Sequence, residues 1–94
     1  MSQNRYIYLF GANGPAGMQL QYAENDVQRL YTALERAPYR FTGKSIIANS
    51  RDDVLDGLEE SINRCHASDL LLVHFSGHAI LDKGQLYLIC NESD

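Results

Sequence analysis

Apolar residues gather in short blocks separated by glycine, proline and charge, and the spacing inside each block predicts an element. Tyr6-Ile7-Tyr8-Leu9-Phe10, rich in β-branched and aromatic side chains and stopped by Gly11, reads as a central strand. A glycine-rich loop, Gly11 to Gly17, follows. From Glu24 to Arg36 the apolar positions Val27, Leu30, Tyr31 and Leu34 fall at i, i+3, i+4 and i+7, the period of one helix face, and Ala37-Pro38 ends the pattern. Lys44 to Ala48 predicts a second strand. Ser50-Arg51-Asp52-Asp53 has the form of a helix start, with Ser50 as cap and carboxylates in the first turn. Val54, Leu55, Leu58, Ile62 and Cys65 then form the expected apolar stripe of a second helix.

The most apolar run, Leu70-Leu71-Leu72-Val73, continues through His74 to Phe75 and ends at Ser76-Gly77-His78-Ala79. It predicts a strand buried on both faces, as in parallel sheets. After a turn at Asp82-Lys83-Gly84, Gln85 to Cys90 predicts a last short strand. Strand, helix, strand, helix, strand is an α/β order, and each helix is long enough to cross over between parallel strands. In open sheets of this kind ligands and catalytic groups gather beyond the carboxyl ends of the strands. That directs attention to Gly11–Gly17, Asn49–Ser50 and Ser76–Ala79.

Composition narrows the function classes. The chain has 94 residues, 45% of them hydrophobic, which suits one small domain. Twelve acidic against eight basic residues, net −4 and without a basic run, argue against a nucleic-acid partner. Cys65 and Cys90 are too few for a disulfide scaffold and lack metal-site spacing, so neither metal nor cofactor is expected. No signal-peptide profile and no run of about 18 apolar residues is present, so the expectation is a cytoplasmic protein without a membrane partner. Asn91-Glu92-Ser93 matches a glycosylation sequon by letter alone.

His78 is the strongest candidate for chemistry. It follows an apolar strand directly, and imidazole is the side chain that ordinarily titrates near neutral pH, as a general base requires. The plain alternative is a polar loop residue. Gly43-Lys44-Ser45 has the tail of a phosphate loop, but the glycine required five residues before Gly43 is Pro38, and the triplet precedes a strand. Glycines at 11, 14 and 17 miss the dinucleotide spacing. His74, inside the strand, reads as a core or rim residue, and His66, near a helix end, as a partner of the dipole.

With these residues in place, a resemblance emerges. Leu70 to Ala79 resembles the histidine strand of caspase-like cysteine peptidases, the clan of caspases, metacaspases and CHAT-type relatives, whose motif ends Ser-Gly-His-Gly. Leu20-Gln21-Tyr22-Ala23-Glu24-Asn25-Asp26 resembles the family's Leu-x-x-Ala-x-x-Asp start of the first helix, and Gly84-Gln85-Leu86-Tyr87-Leu88 the hairpin after the histidine. The likeness spans Tyr6 to Asp94. It implies a three-layer α/β fold, a mostly parallel sheet flanked by helices, with residues 1–94 as the amino-terminal part of a peptidase domain.

It further implies a Cys–His dyad acting on a peptide or protein substrate, with His78 taking the thiol proton and the backbone N–H of Ala79 contributing to an oxyanion hole. The family usually has glycine at that last position. Asp26 matches a motif whose acidic residues help bind a basic substrate residue, although an Asp in a first helical turn is also favourable by itself. The family's nucleophile lies tens of residues beyond the histidine, after another core strand. Cys90, twelve residues on, falls at a structural position, and Cys65 reads as a small core residue.

The resemblance therefore implies a base without its thiol, inactive on its own, with Leu70–Phe75 as an apolar edge inviting self-association or a partner chain. A catalytically inactive binding or regulatory module is the alternative. An unrelated nucleotide-binding or receiver-type domain is a third, weakened by the lack of an acidic phosphoacceptor after the first strand.

Overall fold

A computed structural model describes residues 3–17 and 19–92; Ser93 and Asp94, which complete the sequon and the span of the resemblance, lie outside the described residues. The elements are β1 (Arg5–Gly11), α1 (Ala23–Glu35), β2 (Thr42–Ile47), α2 (Arg51–Arg64), β3 (Leu70–Ser76), β4 (Ala79–Asp82) and β5 (Gln85–Leu88). β1 lies between β2 and β3 and runs parallel to both, with Tyr8 opposite Lys44 on one side and Val73 on the other. β4 and β5 form a separate antiparallel hairpin.

The period-2 alternation of β1 divides the core. Tyr8 and Phe10 pack with Ala12, Ala48, Val54, Leu58 and Phe75 on the α2 side. Ile7 and Leu9 pack with Val27, Leu30, Tyr31 and Leu34 on the α1 side. All four helix-1 positions picked out by spacing are thus in contact with the sheet, and the three-layer α/β arrangement stands.

Each helix start has its own explanation. Ser50 Oγ accepts the Asp53 N–H at 3.4 Å while Asp53 Oδ2 accepts the Ser50 N–H at 3.0 Å, a reciprocal box that satisfies two donors at the start of α2. Tyr22, ahead of α1, offers no side-chain cap. Instead Asn13, eleven residues before Glu24, accepts the Glu24 N–H through its side-chain oxygen at 3.0 Å.

Two expectations need correction. The apolar run of β3 predicts burial on both faces, but Leu70, Leu72 and Val73 are 45%, 40% and 44% exposed; among the described residues β3 is at the sheet edge, as the resemblance implies. α2 packs mainly against β1 and β2, and Leu71 and Phe75 are the β3 side chains that join the core cluster on that side. An apolar run reports the need for cover and does not itself supply the covering layer.

The α2 stripe is also rotated from the one expected. Leu55 and Ile62 point outward, and the buried positions are Gly57 and Ser61, flanked by the packed Val54 and Leu58. Small residues on this face let the helix approach the sheet closely. A Cβ at Gly57 would stand 2.6 Å from Cε1 of Phe10 and 2.9 Å from Cδ1 of Ile46.

The fully buried Tyr8 keeps its hydroxyl satisfied by donating to Glu60 Oε2 at 2.7 Å, and Lys44 Nζ meets the other carboxylate oxygen at 2.7 Å. The hydrogen bond from Lys44, then that from Tyr8, holds the Glu60 carboxyl below its ordinary range. Among the described residues no helix is long and apolar enough to cross a membrane.

Gly57→Val tests the close packing. In an exposed helix the substitution would gain a few tenths of a kcal/mol in propensity. Here overpacking against Phe10 and Ile46 costs about 1–3 kcal/mol, so net destabilisation is expected in urea unfolding; an unchanged midpoint would refute the close-approach account.

Candidate active site

Because β1, β2 and β3 are parallel, their carboxyl ends meet on one side of the molecule. The Ala12 N–H donates to the Ser76 carbonyl at 3.0 Å and the Ala48 N–H to the Gly11 carbonyl at 2.8 Å, so the three exits are stitched together just past the sheet. β3 leaves along a narrow path. A Cβ at Gly77 would lie 2.7 Å from the Ala12 carbonyl oxygen, so a glycine ahead of His78 is demanded by the neighbouring backbone.

His78 is half-buried between β3 and β4, and its carbonyl accepts the Ile89 N–H at 3.0 Å. The hairpin that follows turns through Lys83 and Gly84, both with positive φ (51° and 78°), as a two-residue turn between right-twisted strands requires. Such a turn makes Asp82 and Gln85 the closing hydrogen-bonded pair. Alternation then makes Ile80–Tyr87 and His78–Ile89 hydrogen-bonded pairs and leaves Ala79–Leu88 between them. The Ala79 N–H therefore points away from β5. Ala79 is in extended β4 and has no need of glycine's conformational freedom there.

A second group of side chains holds this end of the molecule together, and sequence reasoning missed it. Asn91 uses its whole amide. Oδ1 accepts the Gly14 N–H at 2.8 Å, and Nδ2 donates to Glu24 Oε2 and to Asn49 Oδ1, each at 2.9 Å. Its own N–H donates to the Ala48 carbonyl at 3.0 Å. Glu24 Oε2 also accepts the Asn13 N–H at 3.0 Å, completing the exchange in which Asn13 caps α1. The loop after β1, the first turn of α1, the loop after β2 and the segment after β5 are thereby joined. By letter Asn91 was only the first residue of a sequon; its partners lie 42 to 77 residues away.

The remaining candidates are dispersed. Asp26 is exposed in the first turn of α1, where its N–H donates to the Tyr22 carbonyl; its neighbour Glu24 is the acid engaged in the loop network. His74 lies opposite Leu9 on the α1 side and is exposed. His66 follows the end of α2, where its N–H donates to Asp69 Oδ2 at 2.9 Å. Cys65 caps α2 and is half-buried.

Cys90 is 8% exposed and packs with Ala12 and Ala48. Burial, with a smaller contribution from the Asp53 carboxylate, pushes its thiol up, away from the thiolate a nucleophile needs. Among the described residues no group of three or more His, Cys, Asp or Glu side chains could hold a metal ion.

Asn91→Ala would leave the Gly14 N–H and the Glu24 carboxylate without their amide partner. The expected cost is about 1–3 kcal/mol in thermal or urea unfolding, with faster amide exchange at Gly14. Unaltered exchange at Gly14 would show that the network is not what holds the loops.

No curated protein and no solved structure matches the chain. A family model described as the caspase domain matches residues 4–93, from the residue before β1 to past the segment that carries Asn91. That span takes in the parallel sheet, both flanking helices, the histidine after β3 and the hairpin behind it. The chain belongs to the caspase domain family.

Proposed function

We propose that this chain is the histidine-bearing part of a caspase-like cysteine endopeptidase site. In this reading His78 takes the proton of a cysteine thiol as the thiolate attacks a peptide carbonyl, and the Ala79 N–H helps stabilise the oxyanion that forms. The observation that carries the reading is the backbone at 76–79. His78 leaves the carboxyl end of β3 through a glycine enforced by β1, and the next N–H is turned away from its partner strand. Asp26, exposed at the same end of the sheet, would contribute to binding a basic substrate residue.

The reading calls for a thiol from outside residues 1–94, in a longer chain or a second polypeptide. Cys90 is packed and its thiol is pushed up, and Cys65 ends a helix. Residues 1–94 alone are expected to leave a peptide library uncut. In the protein complete with its cysteine, His78→Ala is expected to lower kcat/KM by about 10²–10⁴-fold, while Cys90→Ala leaves it within a small factor. Undiminished hydrolysis by His78→Ala would end the assignment. Absence of hydrolysis by the complete protein would favour the second reading, an inactive caspase-like binding module.

The partner surface of either form is the outer edge of β3. Leu70 pairs with β1 through its N–H to Asn4 and Ser76 through its carbonyl to Ala12, so by alternation the backbone groups of Leu71, Val73 and Phe75 face outward. The strand carries no Lys, Asp, Glu or Pro to discourage pairing. Light scattering of residues 1–94 at high concentration is expected to show self-association, and Val73→Lys, at an exposed position, to suppress it. A strictly monomeric wild-type chain would count against this surface.

A further inference from the structure

The opposite end of the sheet, where the strands begin, carries a cleft of different character. It is open, about 510 Å³, and is lined by Arg5, Arg40 and Arg64 together with Tyr6, Tyr39 and Thr42. Among the described residues no Asp or Glu lines it, in a chain with twelve acidic and eight basic residues. Arg5 Nη1 donates to the Tyr39 carbonyl at 3.1 Å, and the Arg64 guanidinium lies 4.7 Å from the centroid of the Tyr6 ring. Both are oriented by uncharged groups that leave most of their five N–H donors unused.

Among the described residues none of the three arginines meets a carboxylate at ion-pair distance. Glu60, one turn before Arg64, is engaged by Lys44 and Tyr8, and Asp69 accepts the backbone N–H groups of Asn4 and His66. Arg40 adds a separate observation. It closes the turn after α1 with φ 54°, a left-handed conformation that favours glycine or asparagine, so the arginine stands there at a backbone cost.

Charge arithmetic sets the valence of a ligand. Both helices end on this side of the sheet, and each carbonyl end carries roughly half a negative charge. Glu60, whose carboxylate also feels Arg64, is offset by its ion pair with Lys44, so three guanidiniums against about one negative charge from the helix ends leave about two positive charges unbalanced. We propose that this cleft binds a phosphate group carrying two or more negative charges. The planar N–H fork of arginine matches phosphate oxygens in bidentate pairs, and phosphate places two charges on one compact centre, as separate peptide carboxylates do not. The site is independent of the chemistry proposed at His78.

The test follows the backbone amide and arginine Nε–H signals of the 94-residue chain by NMR at low salt during titration with inorganic tripolyphosphate and, separately, with ATP. Saturable shifts at Arg5, Arg40 and Arg64 are expected, weakened about tenfold or more by Arg40→Gln or Arg5→Gln and unaffected by Arg36→Gln, outside the cleft. Arg40 and Arg5 are exposed, and the spectrum itself reports whether each variant stays folded. Equal affinity for the two probes would identify the phosphate as the whole ligand, and tighter ATP binding a nucleotide stacked on the cleft tyrosines; either sustains the site. No saturable shift up to about 10 mM, shifts unchanged in both cleft variants, or a preference for an oligoglutamate peptide would overturn it.

Discussion

Everything in this molecule depends on one strand having both faces covered at once. Ile7, Tyr8, Leu9 and Phe10 are consecutive and essentially without solvent exposure, so the two sides of β1 need two separate layers. Each such side chain contributes about 1.5–3 kcal/mol when fully buried, and a domain this small has few others of its kind. α1 supplies Val27, Leu30, Tyr31 and Leu34 to one side, and α2 supplies Val54 and Leu58 to the other. Gly57 and Ser61 allow the second helix to come close enough to close over Phe10.

That constraint also decides where chemistry can sit. Covering a central parallel strand with two crossover helices sends every strand out at the same end, which brings Gly11, Ile47 and Ser76 together. The converging loops expose backbone donors and carbonyls, and Asn13, Glu24, Asn49 and Asn91 satisfy them. His78 inherits its position from this arrangement: β3 fixes where it begins, Gly77 how closely it passes β1, and the Ile89 N–H how its carbonyl is held.

The molecule is uneven in its cover. β1 is enclosed, while β3 and the β4–β5 hairpin carry exposed apolar side chains, Leu81 reaching 74% exposure. The hairpin pairs mainly with itself. The two ends of the sheet differ as well. The carboxyl end presents His78, the Asn91 amide network and the carboxylates of Glu24, Asp26 and Asp53, and the amino end presents a cleft lined by three arginines and, among the described residues, by no Asp or Glu.

The sequence by itself determined the order of elements from β1 to β3, the sheet-facing positions of α1, the cap at Ser50 and the place of His78 after an apolar strand, but not β4 as a strand of its own. These are local properties: a period of 2 or 3.6, a cap within three residues of its partner, a motif read in one run. The family likeness rested on such runs, and the caspase-domain match covers them.

Tertiary structure decided the rest. Leu70–Phe75 read as doubly buried because composition measures hydrophobicity, whereas burial depends on which element lies alongside, and α2 lies mainly over β1 and β2. Gly57 and Ser61 replaced Leu55 and Ile62 at the helix–sheet contact because the fit against Phe10 favours small volume, which a count of apolar residues does not register. Asn91 and the three arginines acquired meaning only from partners, or missing partners, far away in the chain. A hydrogen bond or a charge balance is set by distance in space, and only the folded chain fixes that distance.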